Sequence, residues 1–285
     1  MASRVADWIV LAKVRVNTLV VATTAGGYYM GLSDPLSWSS LSLTCLGTAL
    51  VAGGAAALNQ VAERDTDALM ARTQSRPIAA RRLSPLEGRL VGAVLSIAGL
   101  TVLLIWANAL AAGVATATLV SYVLFYTPLK RRTSFAAVVG AVPGALPPMI
   151  GWAASRGSIG DLGGWSLFLI MFVWQLPHVL AISWLYRDEY GRAGLPVLPV
   201  VDVTGAMTGR QALLWSATLV PISVLPAIAG IASQTYGVGA LVLGLAQAAI
   251  TARFTFQRSQ AHARLVLYAS IIYLPLLWAI MTSTR

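Results

Sequence analysis

The chain has 285 residues, of which 57% are apolar and only 11% are charged, and its formal net charge is +10. Soluble domains are about one-quarter charged, so this composition excludes an ordinary soluble protein and predicts an integral membrane protein. The positive charges lie in short segments between apolar runs, which argues against nucleic acid as a partner. Cys45, alone in the sequence, can form no intrachain disulfide.

The apolar segments predict an all-α bundle of about nine transmembrane helices, forming a single membrane-embedded domain over residues 1–285. The segments are Val16–Gly31, Leu41–Gln60, Leu90–Ala107, Ala109–Tyr126, Phe135–Ala154, Trp165–Leu185, Ala212–Ile231, Tyr236–Ala252 and Leu265–Met281. The fifth segment contains Pro143, Pro147 and Pro148, so we expect it to be kinked and to line an interior space.

Basic residues are distributed very unevenly among the loops. Eighteen of the twenty lysines and arginines lie on one side of the predicted bundle, and only Arg156 and Arg285 lie on the other. The positive-inside rule then predicts a cytoplasmic N-terminus.

The most informative stretch follows the second apolar segment and reads LNQVAERDTDALMARTQSRP, residues 58–77. Asn59, Glu63 and Asp67 are four residues apart, and each step of four on an α-helix rotates the side chain by only about 40°. We therefore expect three oxygen-bearing side chains on one face, a ligand set suited to a divalent cation. A charged helix end at the interface is the alternative, although acidic groups beside a membrane core are costly. Asp65 is rotated about 200° from Glu63 and joins this set only if the helix has ended.

Basic side chains accompany this stretch. Arg72 and Arg76 are again four residues apart, and Lys130 and Arg131 follow the fourth apolar segment. Such groups suit phosphate oxygens, which makes these four residues candidates for clamping a diphosphate. Topology alone also explains them, because cytoplasmic loops collect basic residues whatever the function. We interpret the Arg81–Arg82 pair in that second way.

A second polar segment follows the sixth apolar segment. It closes an apolar helix on the same predicted side as the first, so we expect the two segments to form one site. Its candidate binding residues are Tyr186, Arg187, Asp188, Glu189 and Tyr190.

His178 lies ten residues before Asp188, about 15 Å deeper along the same helix if that helix is unbroken. It is a candidate for substrate contact, iron ligation or proton transfer. A histidine satisfied by neighbouring backbone is the alternative. We interpret His262 as an interfacial loop residue.

These motifs resemble the UbiA-type intramembrane prenyltransferases, and within them the haem O synthase branch. The resemblance covers the whole chain and rests on four stretches in the family order: NQVAERDTDALMARTQSRP, YTPLKRRT, GAVPGALPPMIGW and WQLPHVLAISWLYRDEYGRAGLPVLPV. It implies a nine-helix bundle around a central cavity, with the acidic motifs at the cytoplasmic mouth.

By this resemblance, Asn59, Glu63 and Asp67 match the first metal–diphosphate motif, with glutamate where many relatives have aspartate. The second motif departs further. Tyr186 and Tyr190 stand where many relatives have two aspartates, so the resemblance implies one Mg²⁺ and leaves a second ion open.

The resemblance also implies a reaction: transfer of the farnesyl group of farnesyl diphosphate to the 2-vinyl group of haem B, with addition of water, giving haem O for terminal oxidases. Mg²⁺ is then the cofactor and haem B a substrate, and His178 matches the histidine of the branch's PH element. The implied catalytic residues are Asn59, Glu63, Asp67, Arg72, Arg76, Lys130, His178 and Asp188, and the implied binding residues are Arg131, Tyr186, Arg187, Glu189 and Tyr190.

The expected setting is the cell membrane, with the active site facing the cytoplasm and with membrane lipid, haem A synthase or an oxidase as partners. Two other functions stay open. The prenyl acceptor could be an aromatic quinone precursor, or the chain could be a secondary transporter. Clustering of the acids at one face, and not at the midplane, argues against transport.

Overall fold

The computed structural model describes residues 4–284, and every regular element in that range is helical. The helices are α1 (Arg4–Leu11), α2 (Val14–Gly31), α3 (Trp38–Asp67), α4 (Pro85–Trp106), α5 (Ala109–Val120), α6 (Thr127–Leu129), α7 (Ala136–Ala145), α8 (Pro147–Arg156), α9 (Leu162–Leu185), α10 (Arg187–Arg192), α11 (Leu198–Val201), α12 (Ala206–Ile228), α13 (Gln234–Gln257) and α14 (Gln260–Ser283). A π-helical turn, Ser121–Tyr126, joins α5 to α6.

Eight helical stretches in this range are long and apolar enough to cross a membrane. They correspond to the second to ninth predicted segments, with α5–α6 and α7–α8 each counted as one span. The first predicted span is the 18-residue helix α2, which is too polar on average to belong to that set. The all-helical membrane architecture is therefore confirmed, whereas a membrane crossing by α2, which would bring the count to nine, stays a prediction.

The predicted kink in the fifth span is observed. The helix ends as α7 and restarts as α8 around Leu146, next to Pro147. The side chain of Gln175 on α9 crosses to α7 and donates a hydrogen bond to the carbonyl of Ala141 at 2.8 Å. This polar side chain links α9 to α7 inside the bundle, close to the break.

Close helix crossings rely on small residues. A Cβ atom at Gly27 of α2 would overlap the carbonyl oxygen of Pro148 on α8, and one at Gly151 would overlap the carbonyl of Thr24. The absence of side chains thus lets the two backbones touch, as is common between membrane helices.

The short helix α1 is fastened to the segment that follows α3. Asp7 is buried, and Arg82 donates to its two carboxylate oxygens at 2.9 and 3.1 Å. The amide of Gln60 on α3 donates to the carbonyl of Leu11 at 2.8 Å. The interpretation of Arg82 as a purely topological charge was wrong, because it pairs with a buried carboxylate. These contacts set where the α1–α2 junction meets α3.

Candidate active site

The three oxygen-bearing residues of the first motif do share one face. Helix α3 continues without a break to Asp67, and Asn59, Glu63 and Asp67 are only 1%, 5% and 1% exposed. Asp65 lies on the other side of the helix, exposed and paired with its neighbour Arg64 at 3.2 Å. The unbroken helix therefore separates Asp65 from the cluster.

Each buried carboxylate of this face has its own cation. Lys130 Nζ lies 3.0 Å from Glu63 Oε1, and Arg76 Nη1 lies 2.8 and 2.7 Å from the two oxygens of Asp67. Arg76 also approaches Glu63 Oε2 at 3.9 Å. Burial alone would lower the pKa of Lys130, but the nearby Tyr126 side chain and the Glu63 carboxylate hold that pKa above its usual value. Arg76 and Lys130, two predicted diphosphate ligands, are thus confirmed neighbours of the acidic face.

Asn59 also has a cationic partner, which the sequence reasoning missed. Lys13 Nζ donates to Asn59 Oδ1 at 3.0 Å, and Asn59 Nδ2 donates to Thr127 Oγ1 at 3.2 Å. Thr127 follows the π-helical turn and donates in turn to the carbonyl of Tyr122, five residues earlier. Such turns often occur at functional sites, and this one carries Thr127 and Lys130 to the acidic face.

Lys13 lies between α1 and α2 in a left-handed backbone conformation, with φ 47°. Burial lowers the pKa of this ammonium group to about 8. In the sequence it counted only as one more positive charge before the first span. Its partner is 46 residues away, so no local pattern could have revealed the contact.

The second polar segment meets the first through Arg72. Helix α9 ends at Leu185, and Tyr186 breaks the helix before α10 begins. The Arg72 guanidinium lies over the ring of Tyr186 at 5.0 Å and donates to Tyr190 Oη at 3.0 Å. The backbone N–H of Arg72 donates to Glu189 Oε2 at 3.4 Å. These contacts place the two segments side by side, and their joint role as one site stays a prediction.

Other residues predicted in this segment lie apart from the cluster. The Asp188 side chain is 89% exposed, and its ion-pair partner is Arg187 at 3.8 Å. Arg187 lies over the Trp184 ring at 4.7 Å. Arg131, which belongs to the other basic segment and directly follows Lys130, is exposed. For these three residues the site role stays a prediction, and the contacts they form do not support it.

His178 lies inside the bundle on α9. Its Nδ1 is 2.8 Å from Ser270 Oγ, and its ring stacks on Trp174 with 5.1 Å between centroids. Ser270 Oγ also donates to the carbonyl of Leu267. A serine hydroxyl has one hydrogen, so this arrangement assigns the Nδ1 proton to His178 and leaves Nε2 as an acceptor. His262 lies in the first turn of α14, not in the predicted loop, and its Nδ1 is 2.7 Å from Ser259 Oγ.

The donor set fits a hard divalent cation that is shared with a substrate. The protein offers two carboxylates and one carboxamide oxygen at this face, and the described residues contain no group of three or more His, Cys, Asp or Glu side chains able to hold a metal. Mg²⁺ typically takes one or two carboxylates and completes its shell with waters and substrate phosphates. Asn59, Glu63 and Asp67 match that requirement.

Comparisons with known proteins identify relatives over nearly the whole chain. A family model described as the UbiA prenyltransferase family matches residues 19–281. A protoheme IX farnesyltransferase of Solibacter usitatus is 42% identical, with 98% of each chain covered. Its counterpart in Sorangium cellulosum is 45% identical over 92% of this chain and 98% of its own.

Solved structures share the fold at low sequence identity. A digeranylgeranylglyceryl phosphate synthase superposes with a TM-score of 0.82 at 16% identity, covering 98% of this chain and 97% of its own. A UbiA homologue from Archaeoglobus fulgidus, bound to DMAPP and Mg²⁺, has a TM-score of 0.70 at 16% identity, with 97% and 98% covered. The eight apolar helices, the shared fold and the full-length sequence similarity agree, and this multi-pass membrane protein belongs to the UbiA prenyltransferase family.

Proposed function

We propose that the protein transfers the farnesyl group of farnesyl diphosphate to the 2-vinyl group of haem B, with addition of water, and so makes haem O for terminal oxidases. The names of relatives that are 42–45% identical over nearly the whole chain support this choice of substrates. The observation that carries the chemistry is the buried face of Asn59, Glu63 and Asp67, with one cation of the chain against each side chain.

This face is suited to holding a diphosphate. Glu63, Asp67 and the Asn59 carboxamide would hold one Mg²⁺, which supplies positive charge to the leaving group when it is bound. Lys13, Lys130 and Arg76 already surround these oxygens. As the allylic C–O bond breaks, negative charge grows on the diphosphate, and these three cations stabilise it.

Arg72 extends the same positive surface toward the second polar segment. Its guanidinium is held between Tyr186 and Tyr190, which fixes its direction before substrate binds. We assign Tyr190 and Glu189 to the positioning of Arg72, because both hydrogen bond to it.

The farnesyl chain would lie among the apolar side chains of the spans. That environment keeps water from the allylic cation until the vinyl group of haem attacks it. Water then captures the new cation beside the porphyrin ring. A vinyl group needs no strong base to attack, so Lys and Arg residues that stabilise the leaving group are sufficient for the prenyl step.

We propose His178 as the residue on the haem side of the site. Its Nδ1 is engaged by Ser270, so Nε2 is free to meet haem iron or to accept a proton from the captured water. Substitution by Gln keeps a polar side chain but removes the imidazole lone pair. The spectrum of bound haem would then change if His178 ligates iron.

The location and extent of the enzyme are also part of the proposal. The bias of eighteen basic residues toward the motif side supports a cytoplasmic N-terminus and an active site facing the cytoplasm of the cell membrane. We treat residues 1–285 as one membrane-embedded domain. Haem A synthase or an oxidase would receive the product.

Conversion of haem B tests the proposed function directly. Membranes containing the protein are incubated with haem B, farnesyl diphosphate and Mg²⁺, and the porphyrins are analysed by mass. Glu63→Gln and Asp67→Asn keep the side-chain shape and should lower haem O formation by at least about 100-fold. Asp65→Asn, an exposed change on the same helix, should leave it intact. Unchanged haem alongside a prenylated quinone precursor would refute the acceptor, and normal turnover by Glu63→Gln would refute the site.

A further inference from the structure

A cavity lies at the end of the bundle opposite Asp67. Its volume is about 610 Å³, and it is bordered by the ends of α2, α8, α9, α12, α13 and α14. The wall includes the buried side chains of Met30 and Trp152, and the mouth carries Arg156 and Asp161. Specific ligand pockets commonly have about 300–1,000 Å³, so this space can take a headgroup-sized ligand.

Arg156 is exceptional in the charge pattern of the chain. It is the one lysine or arginine of the described residues that lies in the loops of this end, because eighteen others lie on the opposite side. Topology therefore does not account for it. A charge that runs against the overall bias calls for a local partner.

The partner within the chain is Asp161, and the pairing is incomplete. Arg156 Nε lies 3.7 Å from Asp161 Oδ2, and both side chains are only half-buried, with 42% and 43% exposed. That distance is too long for a hydrogen bond. Within residues 4–284, Asp161 Oδ2 has no hydrogen-bond partner and is shielded from solvent, and Trp152 Nε1 likewise has no partner. Asp161 also precedes α9 without capping it. Both charges thus keep unused hydrogen-bonding capacity.

The two charges together select the ligand. A simple anion would meet Arg156 but would be repelled by the carboxylate 3.7 Å away. A zwitterion satisfies both, with its phosphate on the guanidinium and its ammonium group on Asp161. The Asp161 side chain is 43% exposed although Oδ2 is shielded, so the carboxylate is reached through its other oxygen. A primary ammonium group can donate a hydrogen bond there, whereas a quaternary one cannot.

The apolar side of the cavity indicates where the rest of the ligand lies. Leu162 borders the cavity and is half-exposed, and Trp165 one turn further along α9 is exposed as well. Both lie in the first turn of α9, a helix long and apolar enough to cross a membrane. Tryptophan is common at the ends of such helices. We propose that this cavity binds the phosphoethanolamine headgroup of a phospholipid of that leaflet, with the acyl chains outside along α9.

Lipid retention measured by native mass spectrometry tests this site. The full-length protein is released from nanodiscs that hold equal amounts of phosphatidylethanolamine, phosphatidylcholine and phosphatidylglycerol with identical acyl chains. We expect phosphatidylethanolamine to be retained about tenfold over the other two, the size of one hydrogen bond between charged groups. Arg156→Gln should lower retention of all three lipids. Asp161→Asn should bring phosphatidylethanolamine down to the level of phosphatidylcholine.

Asp34→Asn is the matched control, since Asp34 is an exposed acid in a loop at the same end of the bundle. It should not change the lipid preference. Equal retention of all lipids by the unmodified protein, a preference for phosphatidylglycerol, or an unchanged preference in Asp161→Asn would each overturn the proposal. Soluble glycerophosphoethanolamine should not raise the melting temperature. A rise equal to that given by the lipid would overturn the assignment to a bilayer lipid.

Discussion

The Lys13→Met variant tests whether cations of the chain and the metal compete for the same oxygen atoms. Lys13 Nζ lies 3.0 Å from Asn59 Oδ1, the atom that we propose as a metal ligand. Asn59 is neutral, so the substitution leaves no buried carboxylate unpaired. Asn59 Nδ2 also keeps its hydrogen bond to Thr127. We therefore expect the variant to fold and to insert into the membrane.

The ammonium–carboxamide hydrogen bond sets the size of the effect. Hydrogen bonds to charged groups contribute about 1.5–3 kcal/mol, which corresponds to a factor of about 10 to 150 in an equilibrium constant. Two affinities should move in opposite directions. Mg²⁺ alone should bind more tightly, because no ammonium group competes for Asn59 Oδ1. A non-hydrolysable analogue of farnesyl diphosphate should bind more weakly, because its diphosphate loses a cation.

Isothermal titration of the protein in nanodiscs measures both affinities. Conversion of haem B to haem O gives kcat/KM, which should fall by the same factor as the affinity for the analogue. Arg15→Gln is the control, because it removes an exposed positive charge two residues away. The competition is refuted if Lys13→Met leaves both affinities unchanged, weakens both, or behaves like the control.

Three further outcomes follow from the contacts. Tyr190→Phe removes the 3.0 Å hydrogen bond to Arg72. The KM for farnesyl diphosphate should then rise about fivefold, with thermal stability unchanged. An unaltered KM would show that Tyr190 does not position Arg72. Gly27→Ala forces its Cβ against the Pro148 carbonyl and should destabilise the protein by about 1–3 kcal/mol in denaturant titrations. Gly113→Ala, which has open space, should not, and equal effects would contradict the crossing geometry. Excess chelator should stop turnover without lowering the melting temperature, because every proposed metal ligand already has a partner in the chain. A large drop in the melting temperature would indicate a structural metal instead.

The period of the α-helix was enough to predict the acidic face. Residues at i, i+4 and i+8 share one side of a helix, and α3 stays regular through all three positions. The same geometry ranked Asp65 below these three unless the helix ended first, and Asp65 is exposed and paired with Arg64 on the unbroken helix. Apolar length and proline positions likewise predicted the spans and the break before Pro147.

Contacts between distant segments could not be predicted in this way. The positive-inside rule gives every basic residue on one side the same explanation, so it hides those that have a specific partner. Lys13 and Arg82 both belong to this class, with partners 46 and 75 residues away. Asp188 was predicted to be catalytic because it lies in the second polar segment. Helix α9 ends at Leu185, however, and the Asp188 carboxylate is exposed.

Each proposed metal ligand is paired with a cation of the chain, and this pairing determines whether the metal and the diphosphate bind separately or together. Lys13, Lys130 and Arg76 carry three positive charges against the two negative charges of Glu63 and Asp67. A divalent metal alone would enter a site that is already net positive, where charges are weakly screened. A metal together with a diphosphate brings net negative charge instead, and the three cations gain phosphate oxygens as they give up those of the ligands. Joint entry of metal and substrate is therefore favoured, and both carboxylates stay paired throughout, which avoids the cost of a buried unpaired charge.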